Sequence, residues 1–227
     1  MTISFTIPPM LATLTLAGLD LMDGVRFEEA AACPICGGSL TGYDWIPRTF
    51  ATLREDGADR DITVRVKRFT CSSCGRIVPA DVPFYPDTRV GAPVIDLCVV
   101  LGRMMPVTRA AAYLAAEGIV MSRSSCRNYA ERDFGNIPVT SLFGTLVPTS
   151  VLSLSLLASR WPERGTVPGA EALRACGFPT ADRTGPYLPL PPKKRDQREE
   201  EEEKEERKAE KVQRQRDAKR TEQQDTG

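Results

Sequence analysis

Cys33-Pro34-Ile35-Cys36-Gly37 and Cys71-Ser72-Ser73-Cys74-Gly75 are the two stretches on which the reading of this chain turns. In each, two residues separate the cysteines, so both thiolates of a pair can point at one tetrahedral centre. The glycine after the second cysteine permits the tight turn in which backbone amides face the sulfurs. Together Cys33, Cys36, Cys71 and Cys74 supply four soft ligands, the composition of a structural zinc site with no open coordination position. Such a metal lowers the thiol pKa values, so its binding releases protons and contributes directly to folding. Iron in a rubredoxin-like site takes similar ligands. A disulfide pair or a thiol redox centre would use the same residues without metal.

The 34 residues between Cys36 and Cys71 exceed the usual spacing of about 15–20 for paired knuckles, so something must return the chain to its starting point. Ile62-Thr63-Val64-Arg65-Val66-Lys67 alternates apolar and polar residues with period two, the pattern of a half-buried strand. Glu55-Asp56-Gly57-Ala58-Asp59 before it is turn chemistry, and Tyr43 to Leu53 can supply the partner strand. A long antiparallel hairpin with the knuckles at its base follows, making residues 31–78 a zinc ribbon.

Pro79, Pro83, Pro86 and Pro93 punctuate an extended linker over residues 79–93. Beyond it the period becomes helical, with Val94, Leu97, Cys98 and Leu101 on one stripe. Thr108 can cap a second helix bearing Ala111, Leu114 and Ala115 inward, and Gly118 stops it. Ser122 can cap a third, with Cys126, Tyr129 and Ala130 inward. Residues 94–137 thus read as a trihelical helix-turn-helix unit, braced by the ribbon.

That arrangement turns Ser124, Arg127, Asn128 and Glu131 outward on the third helix, over residues 122–133. Arg127 and Asn128 suit bidentate contacts to guanine and adenine edges, while Arg123 and Arg132 are placed for phosphates. Duplex DNA is the partner this face implies. The charge is modest, however: residues 40–137 hold 13 Lys/Arg against 11 Asp/Glu, too even for strong non-specific binding. Specific binding of moderate strength, or a homodimer presenting two readers, fits better. Three amphipathic helices with a merely solvated outer face give the same pattern.

The rest of the chain narrows the class. There is no histidine among the 227 residues, which excludes imidazole-based triads, bases and metal ligands. Cys98 and Cys126 fall on inward stripes, where cysteine acts as a small hydrophobe, and Cys176 has no nearby base in sequence. Residues 1–30 contain a weakly amphipathic stretch from Leu11 to Met22. Residues 138–192 read as an uncertain, loop-rich connector, in which Val151 to Ala158 fits helix or strand and Ala170 to Ala175 a short helix. From Lys193 to Gly227, 12 Lys/Arg balance 12 Asp/Glu with almost no apolar residue, a charged helix or a disordered tail. No stretch suits a membrane span, nothing marks an export signal, and a cytoplasmic location is expected.

A zinc ribbon, a Pro-rich linker and a trihelical unit in this order resemble the N-terminal DNA-binding part of prokaryotic and archaeal transposases and their orphan relatives. The residues that carry the resemblance are Cys33 to Gly37, Lys67 to Arg76 and Ala111 to Tyr129. Within the last, Val120-Met121-Ser122-Arg123-Ser124-Ser125-Cys126-Arg127-Asn128-Tyr129 looks like the family's recognition-helix start. Ser125, Cys126, Asn128 and Tyr129 stand where that pattern has threonine, valine, arginine and tryptophan. Such transposases continue into a ribonuclease H-like domain with three metal-binding carboxylates, and the 55 residues of 138–192 are too few for one. The resemblance therefore implies a non-enzymatic reader of duplex DNA in a small α+β fold, with structural Zn2+ and no small-molecule substrate. The alternative is a zinc-stabilised protein-interaction adaptor that binds no DNA.

Overall fold

The turn Asp56-Gly57 has positive φ at both residues, 47° and 83°, the two-residue turn whose twist matches that of the strands it joins. It closes an antiparallel pair, β2 (Leu40–Glu55) and β3 (Ala58–Cys71), in register from Glu55 opposite Ala58 to Leu40 opposite Cys71. The computed structural model describes residues 9–142, 144–161 and 165–178; the charged tail expected from Lys193 lies outside them. All described residues belong to one unit.

Before the hairpin come helix α1 (Pro9–Asp20) and a two-residue strand β1 (Arg26–Phe27), which pairs parallel with β3 at Arg65 and Val66. After it, β4 (Ile77–Pro79) pairs antiparallel with β3 at Arg68 to Thr70. Ile62, Val64 and Val66 are fully buried on β3 while Arg65 is exposed, as the period-two pattern requires. On β2 the consecutive residues Phe50 and Ala51 are both buried, which strict alternation forbids. A register shift between Thr49 and Ala51 resolves this, since the bulged Phe50 turns its ring inward, edge-on to Phe84 at 5.9 Å.

Both ends of the hairpin carry buried side chains: Ala51, Leu53, Ile62, Val64 and Val66 toward the tip, and Phe69 and Cys71 of β3, beside Val78 of β4, at the base. From Thr41 to Pro47 no residue of β2 is buried, so at the base β2 is the exposed strand of the pair.

Helix α2 (Ala92–Met104) carries one polar residue, Asp96, in its first three turns, and every residue from Ala92 to Gly102 is buried. A helix apolar on all sides belongs inside, and α2 separates two clusters. Val94, Leu97, Cys98 and Leu101 join the larger one beneath the sheet, while Ala92, Ile95, Val99 and Val100 pack with Ile137 and Val139. The single stripe read from the sequence was half of this. Asp96 accepts from the Tyr85 hydroxyl at 2.7 Å and the Ser150 hydroxyl at 2.6 Å, so a buried carboxyl ties the linker and a later helix to α2.

Helix α3 (Val107–Ala116) corrects two expectations. Its N-cap is Pro106, not Thr108, because proline's fixed φ starts the helix earlier. Its buried residues are Ala110 and Leu114, and Ala115 is exposed, since alanines on both faces left the stripe ambiguous. Helix α4 (Arg123–Glu131) follows, capped by the Ser122 hydroxyl, which accepts from the Ser125 amide at 3.1 Å.

The expected loop-rich connector over 138–192 is also corrected for its described part. It holds a hairpin of β5 (Val139–Leu142) and β6 (Thr145–Pro148), then α5 (Thr149–Arg160) and α6 (Gly169–Ala175). Helix α5 packs along α1, and the Ser155 hydroxyl donates to the Leu14 carbonyl at 2.8 Å. The fold is a small mixed α+β arrangement. Among the described residues no helix is long and apolar enough to cross a membrane.

Helices α2 and α4 meet closely at Gly102, where an added Cβ would lie 2.6 Å from that of Ala130. Glycine to alanine inside a helix ordinarily adds up to ~1 kcal/mol of stability. Here Gly102→Ala is expected to remove about 1–3 kcal/mol, read by urea unfolding, because the two helices must separate. A stabilised variant would show that the contact is loose.

Candidate metal centre and helical face

The two knuckles fold as copies of one another. The Gly37 amide donates to the Cys33 carbonyl at 2.8 Å and the Gly75 amide to the Cys71 carbonyl at 2.9 Å, each glycine at φ near 70°. The Cys33 amide then donates to Gly38 at 3.1 Å and the Cys71 amide to Arg76 at 2.9 Å. Between the knuckles, the Ser72 amide reaches the Ser39 carbonyl at 3.0 Å, and the two serine hydroxyls lie 2.6 Å apart. Four sulfurs converge as a result.

Cys33 Sγ lies 3.8 Å from Cys74 Sγ, Cys36 Sγ lies 3.5 Å from Cys71 Sγ, and all four sit within 4.8 Å of one another. Bonds of about 2.3 Å to a tetrahedral metal put sulfurs ~3.8 Å apart, so the four fit one ion with little movement. None is in a disulfide. The amides of Ile35 and Cys36 hold the Cys33 thiol below its ordinary pKa, and those of Cys74 and Ser73 take Cys71 down to about 6. At Cys36 the Gly38 amide lowers the pKa, but hydrogen bonding with the Cys71 and Cys74 thiols outweighs it and pushes the value up to about 12. Four crowded thiols resist carrying four negative charges together, and a bound cation removes that resistance.

One requirement of the centre was missed in the sequence. A Cβ on Gly38 would lie 2.5 Å from Ser73 Oγ and 3.0 Å from Cys71 Sγ, so the knuckles close only over a bare backbone. The doubled Gly37-Gly38 was its visible signal.

The residues read as DNA contacts lie at the other end of the hairpin. The Arg54 amide donates to the Gly118 carbonyl and the Val120 amide to the Thr52 carbonyl, both at 2.8 Å, so the α3–α4 turn is zipped onto β2. From Leu40 at the base to Thr52 is about 40 Å along the strand at ~3.3 Å per residue. The apical strand, not the cysteine centre, braces the helices. Cys126 and Ala130 are buried on α4, while Arg123, Ser124, Arg127, Asn128 and Glu131 are exposed. Arg132 differs from the rest: it donates to the Pro86 carbonyl at 2.9 Å and lies 5.1 Å from the Phe134 ring, anchoring the end of α4. Cys98 donates to Met121 Sδ at 3.2 Å, and its contact with Cys126 together with burial raises its pKa, as for an inert core thiol.

Glu117, on the turn, is 3% exposed, and its Oε2 has no hydrogen-bond partner among the described residues. Burial pushes its pKa up to about 7, against a smaller opposing bond from Tyr113.

Family models, curated proteins and solved structures were all compared with the chain, and none matches it.

Two outcomes are expected. Removing the metal with a chelator, or making Cys71→Ser, should abolish a one-ion mass increment in native mass spectrometry. It should also speed amide exchange in the basal half of the hairpin, leaving the apical half protected; uniform loss of protection would contradict this division. Glu117 binds its proton more tightly folded than unfolded, so its contribution is intact below about pH 4.5 and lost as pH rises through about 7. Glu117→Gln should therefore gain on the parent by on the order of 2 kcal/mol between pH 5 and pH 8.5 in urea unfolding. A gap that does not change with pH would refute the buried acid.

Proposed function

We propose that the four cysteines hold one structural zinc ion in a ribbon, and that α3, its turn and α4 read duplex DNA as a helix-turn-helix. The protein is then a non-enzymatic DNA-binding protein, of the kind that the resemblance to transposase N-terminal regions implies. The observation that carries the reading is the outer face of α4. It offers Ser124, Arg127 and Asn128 to solvent behind a capped N-terminus, with Arg123 beside them. Two faces of the unit are fixed from behind, by Gly102 of α2 and by the strand β2, so the exposed face is presented rigidly. Preorganised side chains lose less entropy on meeting base edges. For zinc, the support is four thiolate donors at tetrahedral spacing with no further ligand needed.

Arg127 and Asn128 are assigned to base edges and Arg123 to phosphate, with Ser124 able to serve either. Arg132 acts by fixing the helix end. The adaptor reading draws on the near-even charge of residues 40–137.

Selection from a random duplex pool with zinc-loaded protein tests the assignment. An enriched motif is expected, and Arg127→Ala should weaken binding to it by ~1–3 kcal/mol while relaxing one base position. Equal weakening on every sequence would remove Arg127 from base reading. Zinc retention without enrichment would favour the adaptor.

A further inference from the structure

Three sulfurs outside the paired knuckles meet within the helical unit. Cys98 lies on α2, Met121 on the connection from α3 to α4, and Cys126 in the first turn of α4. The Cys98 thiol donates to Met121 Sδ at 3.2 Å and is in hydrogen-bond contact with the Cys126 thiol. Both cysteines are fully buried, and Met121 is half-buried.

Their meeting follows from the helix packing. Cys98 precedes Gly102 by one turn of α2, and Cys126 precedes Ala130 by one turn of α4. Gly102 lets the helices approach until a Cβ there would lie 2.6 Å from that of Ala130. One turn earlier, that approach sets the two thiols against each other. The hydrogen bond with Cys98 lowers the Cys126 pKa, ahead of the burial that raises it, while the same bond and burial both raise Cys98. The pair thus keeps a proton on Cys98 and favours the thiolate on Cys126, where the positive end of α4 acts in the same direction.

Two thiols and a thioether are a soft donor set. Zinc does not suit it, since zinc takes four ligands drawn from thiolate, imidazole and carboxylate. The chain has no histidine, so ions that favour imidazole lack it here, and the nearby carboxylate of Asp96 is engaged by Tyr85 and Ser150. Thiolate with thioether selects Cu(I). Metal–sulfur bonds of about 2.3 Å in a trigonal plane need sulfurs ~4 Å apart, so Cys98 and Met121 would part by under ~1 Å. Methionine, with three rotatable bonds, accommodates that. Cys98 and Cys126 share their core cluster with Leu101, Leu114 and Ile119, an apolar shell that keeps out water, and half-buried Met121 marks the way in.

We propose that Cys98, Met121 and Cys126 form a trigonal site for Cu(I), separate from the four-cysteine centre. Binding expels the thiol protons to solvent and changes no oxidation state; the ion cancels one of the two thiolate charges. It ties the start of α4 to α2. The site depends neither on which metal the knuckles hold nor on α4 reading DNA.

The test uses the full, zinc-loaded chain without oxygen, with Cu(I) presented from an excess of a competing chelator and bound ions counted by native mass spectrometry. One zinc and one copper are expected. Cys98→Ala and Cys126→Ala should keep the zinc and take no copper. Met121→Leu, which conserves volume, should weaken copper binding by at least the roughly 10–100-fold that losing an outer-shell partner costs. Copper should also slow amide exchange over residues 121–126 in the parent. Retained amide protection in α2 certifies each variant as folded; should an alanine variant lose it, Met121→Leu decides. Copper that enters only in place of zinc overturns the proposal, because it then lies at the knuckles. Parental copper binding in a folded alanine variant or in Met121→Leu overturns it as well.

Discussion

A strand pair that buries little apolar surface at one end needs something besides burial to hold it there. Phe50, Ala51, Leu53, Ile62, Val64 and Val66 fix the apical half of the β2–β3 hairpin by excluding water. Below them β3 keeps Phe69 and Cys71 buried beside Val78 of β4, but β2 buries nothing from Thr41 to Pro47, and a strand pair with so little apolar cover is marginal. The four sulfurs sit where that deficit is greatest, at the free ends of both strands. A metal there would close the loop between residues 33 and 74 and clamp the ends of strands that apolar contact covers only in part. Short β1 and β4 add little, with two and three paired residues.

This division separates two duties that the sequence seemed to join. The ribbon was expected to brace the helices, and it does so toward its far end, through Phe50, whose carbonyl accepts from the Gly91 amide at the start of α2, and through Thr52 to Arg54. The cysteine centre therefore governs the basal half alone. Loss of metal need not loosen α4, because α4 rests on Gly102 of α2 and on backbone bonds from apical β2. Charge is divided likewise. At the tip Arg60 bridges Asp20, Asp23 and Glu55, tying the hairpin to the end of α1, while at the base Arg68 pairs with Asp44.

What the sequence disclosed and what it hid follow the range of the interactions. The knuckles, the Asp56-Gly57 turn, the alternation of Ile62 to Lys67 and the Ser122 cap are each specified within a few residues, and each appears in the structure. The α1–α5 packing joins residues about 140 apart, as in the bond from Ser155 to Leu14. Neither helix carries a strong stripe, because their serines, threonines and glycines spread polarity around both faces. The all-round burial of α2 was equally hidden: four of its apolar residues matched one stripe, and the others had no visible partner until Ile137 and Val139 were placed beside them. Gly38, Gly91 and Gly102 act by the absence of a side chain, so only the neighbours that approach them disclose their purpose.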